Sequence, residues 1–147
     1  MARPETSSSA SRAWLRAGII LLAALDGVVG LWQYFRPRSF FDDFPTVDLQ
    51  PPYNEHLVAD IGGLNLALVA IVVFAAVTLD HRVVMSALTA FAVYAGLHFA
   101  YHVLHFEGFS AGEVAAVGTG LGVEVVLTIL LLGYAPYVHR RDLTQSR

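Results

Sequence analysis

Ionisable side chains interrupt the apolar parts of this chain at spacings that bring them together on helices. His56 and Asp60 are four residues apart. His98, His102 and His105 follow one another at i, i+4 and i+7. Residues at these spacings share one face of an α-helix. Since imidazoles and carboxylates bind divalent metals and also exchange protons, the two stripes predict a chemical site between two helices.

The composition indicates that these side chains lie in a membrane. Of the 147 residues, 56% are hydrophobic and 14% are charged, and the mean hydropathy is +0.58. Soluble domains have about 25% charged residues, and each membrane crossing needs roughly 20 apolar residues. We therefore expect an all-α, integral membrane four-helix bundle with spans at about 13–35, 53–79, 83–105 and 113–138. The ends, 1–12 and 139–147, are predicted to be a disordered tail and a charged tail.

The connections between the spans carry their own signals. Segment 36–52 combines four prolines with three phenylalanines and two adjacent aspartates, which favours a short segment lying in the membrane interface. Between the second and third spans, the link from Asp80 to Arg82 has only three residues. So short a link predicts that these two spans are antiparallel neighbours.

The arginines predict the orientation of the bundle. One side of the predicted bundle holds Arg3, Arg12, Arg16, Arg82, Arg140, Arg141 and Arg147. The other side holds only Arg36 and Arg38. Because basic residues accumulate on the cytoplasmic side, both termini are expected in the cytoplasm and the chain in the plasma (inner) membrane.

A count of the helical rise predicts which polar groups share a depth. Asp26, Asp60 and His98 come out about 10 to 13 Å from the outer ends of their spans, in one layer. His56 and His102 lie nearer the surface, so the hairpin would place His56 beside His102 and Asp60 beside His98. This cage predicts a divalent metal site for Zn, Fe, Cu or Mn, with redox or hydrolytic chemistry on a membrane-soluble molecule as its expected use. His56, Asp60, His98 and His102 would be the ligands, and Asp26 would be a further ligand or would orient one.

Other uses of the same residues stay open. In a proton-coupled small transporter, Asp26, Asp60, His98 and the deeper Glu124 would form a relay, as ionisable residues do in membrane pumps. Alternatively, the polar groups pair only to fix the helix register, or the chain is an accessory subunit of a larger membrane complex. Haem is disfavoured, because His98 and His102 on one helix face cannot both be its axial ligands. No catalytic residue can be assigned.

Composition also excludes several classes of protein. The chain has no cysteine, so disulfides, thiolate metal sites and cysteine-bound iron–sulfur clusters are excluded. All nine basic residues are arginines, most of them near the chain ends or in loops, and the net charge is -3, so no basic face for nucleic acid is expected. The expected partner is the lipid bilayer, with a homo-oligomer or a larger complex left open.

Three short stretches carry a resemblance to known proteins. They are Gly27-Val28-Val29-Gly30-Leu31-Trp32, Pro52-Tyr53-Asn54-Glu55-His56 with Asp60 and Gly62, and His98 with His102. In these stretches the chain resembles small uncharacterised four-helix membrane proteins of actinobacteria, and its span order is similar to the broad DoxX-like group. The resemblance implies a small inner-membrane protein of unassigned activity, and it carries over no functional residues.

Overall fold

The computed structural model describes residues 5–49 and 52–145. These residues form five α-helices and one short 3-10 turn. The helices are α1 (Glu5–Phe35), α2 (Pro37–Asp43), α3 (Glu55–Thr78), α4 (His81–Leu104) and α5 (Ala111–Gln145), and the 3-10 turn is Val47–Leu49. Among them α1, α3, α4 and α5 are apolar and long enough to cross a membrane, which confirms the predicted all-helical chain with four candidate spans.

Capping side chains determine where three of the long helices begin. The Asn54 side chain accepts a hydrogen bond from the Leu57 amide at 3.1 Å, at the start of α3. Asp80 accepts from two amides of the first turn of α4, at 2.9 and 3.1 Å. At α5, the Ser110 amide donates to the Glu113 carboxylate at 2.7 Å, and the Glu113 amide donates back to the Ser110 hydroxyl. These caps satisfy amides that a helix leaves unpaired at its N-terminus.

Helices α1 and α5 continue into the two predicted tails. In the structure α1 begins at Glu5 and α5 ends at Gln145, while residues 1–4 and 146–147 of those tails lie outside the described residues. An ion pair joins the two extensions, with Arg12 Nη1 lying 2.6 Å from Asp142 Oδ2. Polar contacts between the two helices therefore stabilise segments whose sequence is too polar to predict as membrane helix.

The four long helices form a ring. Helix α1 packs against α3 and α5, and α4 packs against the same two helices. The predicted α3–α4 hairpin is present, with Leu79 in a left-handed conformation at its turn, yet its two helices contact each other less extensively than α1 contacts α3 or α4 contacts α5. We call the end of the bundle with this turn, the start of α1 and the end of α5 the terminal end, and the opposite end the loop end. At the terminal end, the rings of His81 and His139 stack 4.1 Å apart.

Glycines let α1 and α3 approach closely. A Cβ atom added to Gly62 would lie 2.7 Å from the Tyr34 backbone nitrogen and 2.8 Å from the Gln33 Cβ. Gly30 faces Asn65 in the same contact, where an added Cβ would lie 3.1 Å from the Asn65 Cβ. The two helix backbones can lie this close only because the side chain at position 62 is a hydrogen atom.

The short helix α2 lies at the loop end, in the segment predicted to lie at the membrane interface. Its Phe40 is buried, and the ring of Trp32 packs edge-on against Phe40 and against Phe44. The Trp32 indole also donates a hydrogen bond to Ser39 at 3.2 Å. Trp32 thus holds α2 against the end of α1.

The apolar core fills the terminal half of the bundle. Its largest fully buried apolar side chains are Ile19, Leu22, Val72, Val84, Leu88 and Phe91. Of the buried polar side chains, Ser11 lies at the terminal end, whereas Asp26, Gln33, Asn65 and Thr128 lie toward the middle and the loop half.

Candidate functional site

The predicted pair on α3 lies outside the bundle interior. His56 Nε2 and Asp60 Oδ2 are 3.2 Å apart, and the side chains are 87% and 60% exposed. Gly62 already packs against Tyr34, close to the end of α1, so the first turns of α3 extend beyond α1 toward the loop end. The depth count assumed that all spans begin at one level. The offset between α1 and α3 shows that this assumption is wrong for these two helices.

Asp26 lies at a different level from Asp60. Its neighbour Gly27 packs against Val69, nine residues further along α3 than Asp60, which corresponds to roughly 13 Å of helical rise. The structure therefore separates two residues that the sequence placed in one layer. It does so because the glycine contacts decide where α1 meets α3.

The five predicted metal ligands do not form one cluster. Among the residues that the structure describes, no group of three or more His, Asp or Glu side chains is arranged to hold a metal ion. His98 and His102 are neighbours, with ring centroids 4.8 Å apart, but both are on α4. The metal site stays a prediction that this arrangement does not support.

A different set of four polar side chains lies inside the ring of helices. Each long helix contributes one side chain to it: Asp26 from α1, Asn65 from α3, Tyr94 from α4 and Glu124 from α5. Asp26 is 9% exposed and Asn65 is 3% exposed, while Tyr94 and Glu124 are half-buried. Tyr94 interacts with Asn65 and lies within electrostatic range of both acids, and the two acids lie within electrostatic range of each other. We call these four residues the polar site.

Three oxygens of the polar site lack hydrogen-bond partners among the described residues. They are Asp26 Oδ2, Asn65 Oδ1 and Glu124 Oε1. The Asn65 amide is fixed in orientation because its Nδ2 donates to Gln33 Oε1 at 2.8 Å. Since buried polar atoms are almost always hydrogen-bonded, three unpaired acceptors at one site mark a place for a proton, a water molecule or a ligand.

Aromatic and imidazole rings connect the polar site with the loop end. The rings of Tyr94 and His98 stack with centroids 5.7 Å apart, and His98 is followed by His102 at 4.8 Å. His98 and His102 are half-buried, while His105, at the end of α4, is exposed. Along α4 there is thus a row of groups that can carry protons, running from the bundle interior toward the loop end.

The proton relay predicted from the sequence shares two residues with the polar site and one with the neighbouring ring row. Asp26, Glu124 and His98 belong to the predicted proton relay, whereas its fourth member, Asp60, is on the exterior. Tyr94 and Asn65 were not predicted as site residues. The spacing of Tyr94 four residues before His98 was an available signal, because it places the hydroxyl in the histidine stripe.

Two grooves open on the outside of the bundle. The first, about 360 Å³ in volume, lies between α3 and α4 and reaches Asn65 and Tyr94. The second, about 670 Å³, lies between α1 and α3 nearer the terminal end and contains Arg16, whose Nε donates to the Ala76 carbonyl at 3.0 Å. Only the first groove is lined by residues of the polar site.

Comparison with known proteins adds no assignment. No protein-family model, curated protein or solved structure matches the chain. The functional proposals therefore depend on the residues of the chain and their arrangement.

Proposed function

We propose that this is a multi-pass membrane protein that binds a proton between Asp26 and Glu124 and couples that proton to the movement of a small solute. The observation that carries the proposal is the pair of carboxylates inside the bundle, each with an oxygen that has no partner among the described residues. Ionisable residues at membrane depth are rare because they are costly, and they commonly mark ion and proton pathways.

The chemistry of the pair supports proton binding. Two carboxylates that share a site of low dielectric constant cannot both ionise without strong repulsion, so such a pair holds a proton. Tyr94 lies within electrostatic range of both acids and interacts with Asn65, so its hydroxyl is one of the polar groups around the pair. The Tyr94–His98–His102 row supplies a route for the proton to the loop end, with water completing the steps between rings.

The arginines support an orientation for this route. Within the fold, Arg12 and Arg16 lie at the terminal end, and Arg38 lies at the loop end on α2. By the excess of arginines on the side of the termini, both termini are in the cytoplasm of a plasma membrane. The histidine row would then open toward the outside of the cell, and the carboxylate pair would take up protons from there.

Infrared difference spectroscopy of the protein in lipid nanodiscs tests proton binding directly. A protonated carboxyl has a C=O stretching band that an ionised carboxylate lacks. We expect this band at neutral pH, shifted or lost in Asp26→Asn and in Glu124→Gln, because the remaining acid no longer repels a second carboxylate, and absent from the double variant. Asp60→Asn is the matched control, because Asp60 is an exposed acid on the same bundle. A spectrum without a protonated-carboxyl band at neutral pH, or a band unchanged in the double variant, would overturn the proposal.

Coupling to transport requires a second measurement. In proteoliposomes that contain a pH-sensitive dye, an imposed inward proton gradient is expected to drive proton entry when a transported solute is present on the opposite side. His98→Phe should slow this entry, because phenylalanine preserves the ring packing on Tyr94 but cannot carry a proton. Equal rates for His98→Phe and the unmodified protein would exclude the histidine row as the route.

One observation favours a second candidate function, that of an accessory subunit in a larger membrane complex. On α5, Gly112, Gly118, Gly120 and Gly133 have open space where a Cβ would lie, among the residues that the structure describes. In membranes such small residues let another helix approach closely. Native mass spectrometry of the gently extracted protein tests this candidate. A stable complex that is lost in Gly120→Leu but kept in Gly96→Leu, an open glycine on α4, would support it.

A further inference from the structure

The groove between α3 and α4 opens on the outside of the bundle, and two residues of the polar site, Asn65 and Tyr94, are part of its floor. Five apolar side chains, Ile61, Leu64, Ala67, Leu68 and Ile71, line it together with Asn65 and Tyr94. Leu64 and Ile71 are 67% and 49% exposed on the outside of the bundle, where a membrane would surround them. The groove therefore offers a path from the lipid phase whose walls are apolar and whose two polar residues belong to the polar site.

Where the groove meets the polar site, acceptor oxygens are left without donors. Asn65 is almost fully buried, its Nδ2 is occupied by Gln33, and its Oδ1 has no partner among the described residues. Tyr94 also lies within electrostatic range of the carboxylates of Asp26 and Glu124, each with one oxygen that has no partner among the described residues. A molecule that completes this site must bring N–H or O–H donors, and the acids favour a positive charge on it. An ammonium group supplies both the donors and the charge.

We infer that the groove admits a lipid-soluble amine, whose ammonium head binds at Asn65 and Tyr94 while its apolar tail occupies the groove. This inference depends on the proposed function, because the same carboxylate pair holds the proton. When the ammonium cation binds, one proton leaves the Asp26–Glu124 pair along the Tyr94–His98–His102 row to water at the loop end, so the charge of the site is unchanged. The solute coupled to the proton is thus a primary or secondary amine with an apolar body.

Other chemical classes fit the site less well. An anion would meet two acids and no basic side chain among the residues that line the groove. A quaternary ammonium ion carries the charge but has no N–H group, so it would leave the Asn65 oxygen unpaired. The comparison between a primary and a quaternary amine with the same tail therefore separates hydrogen bonding from charge alone.

Equilibrium dialysis with radiolabelled octylamine tests the inference. Binding to protein in nanodiscs is measured after subtraction of empty nanodiscs, with octyltrimethylammonium as the comparison probe. We expect saturable binding of octylamine, and binding of octyltrimethylammonium weaker by about tenfold or more, since a hydrogen bond to a charged group is worth at least that ratio.

Two variants of α3 locate the binding site. Ala67→Phe places a ring in the groove and is expected to weaken octylamine binding by about tenfold or more, in proportion to the contacts that the ring displaces. Ala70→Phe is the matched control, because Ala70 is exposed on the same helix and lines neither groove. Circular dichroism and thermal melting establish that both variants are folded. Asn65→Leu removes the acceptor oxygen proposed to bind the amine. It should therefore reduce the preference for octylamine over octyltrimethylammonium.

The outcomes distinguish this inference from the proposed function. Absence of saturable octylamine binding, or equal binding by Ala67→Phe and Ala70→Phe, would overturn the inference. If the protonated-carboxyl band of the Asp26–Glu124 pair persists in that case, proton binding stands and the solute belongs to another class. If the band is absent as well, both the proposed function and the amine site fail.

Discussion

The contact between α1 and α3 gives a sharp prediction about a single methyl group. A Cβ at Gly62 would lie 2.7 Å from the Tyr34 backbone nitrogen and 3.0 Å from the Gln33 carbonyl carbon, so a helix backbone must move to admit it. A Cβ at the adjacent Gly63 would lie 3.8 Å from the Tyr34 ring, which is an ordinary contact. Gly62→Ala is therefore expected to be destabilising and Gly63→Ala to be tolerated.

The magnitude follows from two terms. Overpacking a well-packed contact costs about 1 to 3 kcal/mol. The preference of a helix for alanine over glycine is worth up to about 1 kcal/mol, and it applies equally at both positions. The free energy of unfolding should therefore be lower in Gly62→Ala than in Gly63→Ala by about 1 to 3 kcal/mol.

Reversible unfolding in mixed micelles with increasing denaturing detergent measures this difference. Both variants should keep their helical content, since neither position has an unusual backbone angle. Equal stability of the two variants, or a less stable Gly63→Ala, would refute the close approach of α1 and α3 at Gly62. Loss of the Gln33–Asn65 hydrogen bond in Gly62→Ala, seen as a change at the Asn65 amide, would link the contact to the geometry of the polar site.

Three further predictions concern individual groups. Alanine replacements of Asn65 and Gln33, made singly and together, are expected to give a coupling free energy of about 0.6 to 1.7 kcal/mol, and a coupling near zero would contradict their hydrogen bond. Burial of its hydroxyl and the nearby Glu55 raise the pKa of Tyr53, and the Arg38 guanidinium, 5.0 Å from its ring, partly opposes this rise. Arg38→Gln should therefore raise the pKa of Tyr53 further in a tyrosinate absorbance titration. A fall in this pKa would contradict the inference that Arg38 lowers it. The metal site predicted from the sequence requires near-stoichiometric metal that is lost in His98→Ala, and elemental analysis that finds the purified protein metal-free would refute that site.

Much of the local geometry could be predicted because it depends on neighbours along one helix. Spacing of four residues placed His56 against Asp60, and the structure has them 3.2 Å apart. The same spacing placed His98 beside His102 on α4. Such contacts follow from 3.6 residues per turn and need no knowledge of other helices.

Contacts between helices could not be obtained in this way. Helices α3 and α4 are apolar on all sides, as helices in a lipid environment commonly are, so hydrophobic patterning does not say which face points inward. The short α3–α4 link predicted a close hairpin, yet α1 is the helix that packs most extensively on α3. A link of few residues brings two helices together at one end and does not decide how tightly they pack along their length.

The amino-acid sequence by itself determined that this chain is helical and apolar enough for four membrane spans, because both properties depend on local composition and length. It also determined which ionisable residues would be costly to bury and therefore candidates for function. Only the tertiary structure decided which of them meet. The glycine contacts between α1 and α3 offset these helices, so that Asp60 lies outside while Asp26 is buried within electrostatic range of Glu124 and Tyr94. The physical reason is that helix offset depends on side-chain packing between distant parts of the chain, which no spacing along a single helix encodes.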